Sequence, residues 1–171
     1  PKLFAEIAAA LGCGRLVFFG GSGGGFAALR YSHALPGSAA LVTNPQTSIG
    51  RYYINHGKRY QQYCWPGLSG PDELCNVVED DLCRLYGNGC QNTVIYMQGG
   101  ADFFHIYNHM IPFLAAAERG GMKRLIVLCN YWGKLGHSGS VVSTAFMPWL
   151  RTLMLSRSFE LGALFETHAR L

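Results

Sequence analysis

Short apolar runs of buried-strand type alternate with stretches of helical period along this chain. From Lys2 to Leu11, apolar residues at 3, 4, 7, 8 and 11 repeat at helical spacing, and Gly12 ends the pattern. Arg15 to Phe19 predicts a strand, and Gly24 to Ala34 predicts a helix stopped by Pro36-Gly37. Ala39 to Thr43 predicts a second strand, whose exit, Asn44-Pro45-Gln46-Thr47-Ser48, is turn-forming polar chemistry. Thr93 to Met97 and Arg124 to Cys129 predict two further strands. Helices are expected from just after Asp102 to about Glu118, from 141 to 155 and from 159 to 169. This order predicts a single α/β domain over residues 1–171, with a parallel sheet and flanking helices. In such sheets the carboxyl edge of the strands carries the chemistry.

Residues 49–92 are too long for a simple crossover and read as a lid-like insertion after the second strand. The first half is aromatic and basic, with Arg51, Tyr52, Tyr53, His56, Lys58, Arg59, Tyr60, Tyr63 and Trp65. The second half predicts an amphipathic helix from Pro71 to Tyr86, with Leu74, Val77, Val78, Leu82 and Leu85 on one face and Ser69 and Asp72 at capping-box spacing.

Composition narrows the field. Of the 171 residues, 49% are hydrophobic and 14% charged, which suits a buried sheet, and the net charge of +4 is not gathered into a basic run that would grip nucleic acid. No apolar stretch has the length of a membrane span. The six cysteines at 13, 64, 75, 83, 90 and 129 include no Cys-x-x-Cys pair, so no structural zinc is expected. Free thiols and a cytoplasmic setting are the expectation, with Cys129 buried at the end of its strand. No cofactor is expected: a P-loop lysine followed by Ser or Thr is absent, and a dinucleotide site lacks its ribose-binding acid, since no Asp or Glu lies between Glu6 and Asp72.

The residue that asks for an explanation is Ser22, within Gly20-Gly21-Ser22-Gly23-Gly24-Gly25 between the first strand and its helix. A strand that becomes a helix within a residue or two projects its corner side chain outward and crowds any neighbouring Cβ, so glycines belong there. The pattern is a Gly-x-Ser-x-Gly nucleophile elbow, with the Gly23 N–H placed to meet an oxyanion.

A serine hydroxyl needs a base, and the base needs an acid to hold its tautomer. Of seven acids between Ser22 and His137, Asp102 alone directly follows a buried strand. His137 stands in the loop after the next strand and is the best base. Asp102, His105 and His109 have the spacing of a helical face and raise a metal trio, but Pro112 places a helix start near Ile111, which spoils the alignment, so no metal is assigned. Gly21, Asn44, His105 and Tyr53 are the candidate substrate-contacting residues, with His109 an alternative to His105 at the pocket wall.

The elbow and the serine, acid, histidine order resemble the α/β-hydrolase superfamily, from its nucleophile elbow onward. The resemblance implies a partial α/β-hydrolase fold with Ser22 as nucleophile, Asp102 as orienting carboxylate, His137 as general base and then acid, and Gly23 as one oxyanion donor. It further implies that the 49–92 segment is a lid over the site. The family's second oxyanion donor follows an earlier strand, so this stretch is expected to lack it and to be weak or inactive by itself. More faintly, Asn44-Pro45-Gln46-Thr47 and the Tyr-rich insertion resemble bacterial hydrolases that handle acyl groups on glycans or work beside polysaccharide and glycoprotein export. The implied substrate is a small-molecule or glycan acyl ester, hydrolysed or transferred. The alternative is a non-catalytic hydrolase-like module binding a glycan or protein partner.

Overall fold

The computed structural model describes residues 2–171. Four strands, β1 (Val17–Gly21), β2 (Ala39–Thr43), β3 (Thr93–Gly99) and β4 (Leu125–Asn130), form one parallel sheet in the order β1-β2-β3-β4. Around it pack α1 (Lys2–Ala10), α2 (Ser22–His33), α3 (Ile54–Cys64), α4 (Leu82–Tyr86), α5 (Phe103–His105), α6 (Ile111–Arg119), α7 (Ser143–Leu155) and α8 (Leu161–His168). The chain is an α/β fold.

The side-chain alternation of the strands sorts the interior into two layers. Ala40, Val42, Val94 and Tyr96 face one way, against Ala28 and Leu29 of α2, Leu82 and Tyr86 of α4 and Phe113 of α6. Ala39, Leu41, Ile95 and Met97 face the other way, against Trp149 and Leu153 of α7 and Leu164 of α8. Central strands buried on both faces explain why β2 and β3 read as unbroken apolar runs. None of the helices is long and apolar enough to cross a membrane.

Strand register sets the level of the site. Gly21 pairs with Thr43 and Thr43 with Met97, so Ser22 and Asn44 leave β1 and β2 at the level of Gln98, while β3 runs on to Gly99. The first strand runs two residues later than its apolar run suggests, because pairing from Val17–Ala39 to Gly21–Thr43 draws the glycines into the ladder. Helix α2 accordingly starts at Ser22 rather than Gly24.

The expected continuous helix over 71–86 does not form. A 3-10 turn covers Pro71–Asn76, and the chain then straightens before α4. Pairing with the exit of β2 breaks the helix: the Ile49 N–H donates to the Asp80 carbonyl, Leu82 N–H to the Thr47 carbonyl, and Ser48 and Asp81 form an antiparallel bridge. Asp81 then caps α4 by accepting from Cys83 N–H at 2.9 Å. The Ser69 N–H bonds Glu73 instead of taking part in a capping box with Asp72. The part of the 49–92 segment able to cover the site therefore ends before Leu82, since α4 is core.

All six cysteines are free thiols. Cys129, expected to be buried, is exposed: β4 is an edge strand, and Val127, on the same face as Cys129 and opposite to α7, is exposed as well.

The corner after β1 is shaped by backbone crowding. Ser22 has φ +53°, a left-handed conformation rare outside glycine. A Cβ on Gly20 would run into the Gly24 carbonyl, and one on Gly25 would come within 2.7 Å of Pro45 Cβ, whereas one on Gly24 meets nothing. Gly20→Ala is therefore expected to cost about 3 kcal/mol, while Gly24→Ala is neutral or stabilises α2 by up to about 1 kcal/mol. Thermal denaturation of the two variants separates these outcomes.

Candidate active site

The site is built at the carboxyl edge from the corner after β1 and the loops after β2, β3 and β4. Ser22 stands at the corner, half-buried, with its side chain in a cavity of about 240 Å³ that Gly21, Thr43, Asn44, His137 and Val141 also line. Its hydroxyl accepts a hydrogen bond from Gln46 Nε2 at 3.2 Å, and no hydrogen bond joins it to His137 among the described residues.

Asp102 follows β3 after one tight turn, closed by its N–H on the Gly99 carbonyl, and is buried. Its carboxylate caps α5 by accepting from the His105 N–H and receives His137 Nδ1 at 2.8 Å. An ionised carboxylate only accepts, so His137 carries its proton on Nδ1 and leaves Nε2 free to take another. Asp102 thus fixes the tautomer and orientation of His137.

The same carboxylate holds a second histidine. His105 Nδ1 lies 3.1 Å from Asp102 Oδ1, and its buried ring stacks on His137 with centroids 3.9 Å apart and planes 12° apart. Burial lowers the pKa of His105, His137 beside it lowers it further, and Asp102 opposes both. His105, expected at the pocket wall, is therefore drawn behind His137 by the carboxylate and the stack.

His109, the alternative wall residue, is fully buried. It sits in a π-helical turn, Ile106–Met110, between α5 and α6, and its Nδ1 accepts from the Thr47 N–H at 3.1 Å. That turn brings both histidines inward, and α6 begins at Ile111 beside Pro112 as the sequence suggests.

The donor atoms of Asp102, His105 and His137 lie within 4.8 Å of one another, the grouping among the described residues that could hold a cation. It is a different trio from the one that helical spacing raises, since His109 is spent on Thr47. Near-parallel stacked rings aim their in-plane lone pairs side by side rather than at a common point, and both Nδ1 atoms already meet the carboxylate. The arrangement suits a shared carboxylate better than a chelated metal.

Asn44, at φ +41°, is a clamp. Its Oδ1 accepts from the Gly99 N–H at 2.6 Å, and its Nδ2 donates to Ser140 Oγ at 2.6 Å and to the His137 carbonyl at 3.1 Å. Its amide thereby ties the β2 and β3 exits to the loop that carries His137, while it also lines the smaller cavity.

Beside the corner, a second cavity of about 560 Å³ opens between α2 and α3. Gly23 and Gln46 form its inner end, and Phe26, Tyr31, Tyr52 and Tyr60 supply aromatic walls, with Arg30 and His56 among them. Tyr53 stands outside it, about half exposed and stacked on Phe104 at 4.2 Å, so Tyr52 contributes the ring. Arg51 is turned away and paired with Asp81. His168 packs on Trp149 and bonds Thr152.

Two residues escape a reading by strand exits and chain order. His105 shows only the spacing of a helical face, and the shared carboxylate is a tertiary fact. Gln46 had a usable signal: an amide side chain three residues beyond the strand that neighbours the nucleophile strand.

No protein-family model, curated protein or solved structure matches this chain.

His109 carries a pH consequence. Burial first, and then His105 and Arg51, hold its pKa at about 3 against the ordinary 6.5. The unfolded chain takes up this proton below pH 6.5 and the folded chain only near pH 3, so the stability it contributes is complete above pH 6.5 and drains between those limits. Denaturant unfolding is expected to show about 2 kcal/mol lost from this group between pH 7 and pH 5. In His109→Gln, whose amide oxygen can still accept from Thr47, that share of the loss disappears.

Proposed function

We propose that this chain is a serine hydrolase of α/β-hydrolase type that cleaves or transfers an acyl ester through an acyl-enzyme on Ser22. The observation that carries the reading is the 2.8 Å bond from His137 Nδ1 to buried Asp102, in a loop lining the same cavity as a serine held in left-handed backbone. Strain at a corner residue persists only where its surroundings impose it, and it gathers at functional sites.

The chemistry follows from the parts. Ser22 Oγ attacks the ester carbonyl carbon while His137 Nε2 takes its proton. The carbonyl π electrons move to oxygen, and Asp102 stabilises the imidazolium that forms. Collapse of the tetrahedral intermediate expels the alcohol, which leaves with the proton from His137. Water or an acceptor hydroxyl then enters by the reverse sequence. The serine must leave Gln46 Nε2 to meet His137, and such bonds are commonly open in unliganded sites.

The aromatic cavity fits the substrate class. Four rings beside Gly23 and Gln46 can take a ring-bearing acyl group or stack on a sugar that carries the ester. Arg30 at its wall suits an anionic substituent.

An alkyl fluorophosphonate tests the reading: Ser22 displaces fluoride at phosphorus and keeps a tag that peptide mapping locates. Labelling on Ser22, absent in Ser22→Ala and at least 10³-fold slower in His137→Ala, is the expected result. A folded wild type that takes no label would favour the non-catalytic binding module instead.

A further inference from the structure

We infer that Gln46 completes the oxyanion hole, its side-chain amide acting as the second donor beside the Gly23 N–H. The inference rests on the serine reading above and assigns Gln46 as a catalytic residue in it. Acyl transfer through a single donor is slow, because removing one donor costs roughly 10²- to 10³-fold in rate. The family's usual second donor comes from an earlier strand, on the far side of the nucleophile strand. Here the loop after β2, the strand that pairs with β1, brings a side-chain amide to the same corner.

Gln46 is held where such a donor is needed. Its backbone N–H donates to the Ser22 carbonyl at 3.1 Å, which ties the exit of β2 directly to the corner. Pro45 before it packs so closely on Gly25 that α2 fixes the position of the loop. From this base the side chain reaches back until Nε2 lies 3.2 Å from Ser22 Oγ. The other end of the amide lies over Gly23, since a Cβ there would come 3.6 Å from Gln46 Oε1. The amide therefore lies beside both Ser22 Oγ and Gly23, and Gln46 and Gly23 line the aromatic cavity together.

A primary amide nitrogen has two hydrogens. In the resting site one meets the serine oxygen. When Oγ bonds to the acyl carbon, the negative charge leaves the serine for the former carbonyl oxygen, one bond beyond that carbon. A side-chain amide can follow this short displacement by rotating, while the Gly23 N–H stays fixed in the first turn of α2, where N–H groups lack helical partners. Gln46 cannot take up a proton near neutral pH, so it stabilises charge without competing with His137 for the serine proton. Gln46 and Gly23 would then supply two donors from within this chain.

The test compares Gln46→Met and Gln46→Glu, which keep the length of the side chain, with wild type and Ser22→Ala. The readouts are the rate of Ser22 labelling by an alkyl fluorophosphonate, whose phosphoryl oxygen occupies the same hole, and hydrolysis of p-nitrophenyl acetate. Thermal denaturation confirms that each variant is folded. Both Gln46 variants are expected to label 10²- to 10³-fold more slowly and to lose kcat by a similar factor with KM nearly unchanged. Gln46→Glu falls further, because its carboxylate repels the developing charge. Labelling of either folded variant within about threefold of wild type overturns the assignment while leaving the serine reading intact. A rise in KM at constant kcat also overturns it, by making Gln46 a substrate contact. Esterase activity that survives in Ser22→Ala sinks both readings together.

Discussion

The fold hinges on how sharply the chain turns after β1. A parallel strand must hand over to a crossover helix, and here it does so without a connecting loop, with Ser22 in left-handed backbone. The turn is possible because Gly20 lets the Gly24 carbonyl approach and Gly25 lets Pro45 approach. That second contact matters beyond the corner. Through it the exit of β2 rests on α2, and Asn44, Gln46 and Thr47 take fixed positions around the serine.

A second organising feature is economy of charge. One buried carboxylate, Asp102, serves a helix cap and two stacked imidazoles. Two protonated rings 3.9 Å apart would repel, so the cluster accommodates one positive charge at a time. Burial keeps His105 and His109 on the neutral side. His137, the half-buried member of the group, is the one that lines the cavity with Ser22. Asn44 completes the arrangement by holding the backbone of the His137 loop against β3.

The long segment after β2 divides by what it packs on. Its later part returns to pair with Thr47, Ser48 and Ile49 and buries Leu82 and Tyr86 under the sheet. Its earlier part, α3, places Tyr52, His56 and Tyr60 around a cavity that begins at Gly23. Aromatic residues that look alike in sequence therefore have different fates. Tyr52 walls the cavity, Tyr53 stacks outside on Phe104, and Tyr63 is exposed to solvent.

The sequence by itself determined the strands, their parallel order and the pairing of Asp102 with His137. Apolar runs mark buried strands whatever surrounds them, and an acid or histidine just past a strand end is held at the carboxyl edge by the sheet. Local glycine spacing likewise marked the corner at Ser22, since backbone crowding is a short-range effect. Only the tertiary structure decided the rest. The helical period over 71–86 was real, yet Asp80 and Asp81 gained more by pairing with the exit of β2 than by continuing a helix. Cys129 was apolar in its local setting but lay at the end of an edge strand whose outward face is left exposed. His105 behind His137, and Gln46 over Ser22, arise from contacts between segments many residues apart, and no local pattern encodes which side chains meet when separate strand ends converge.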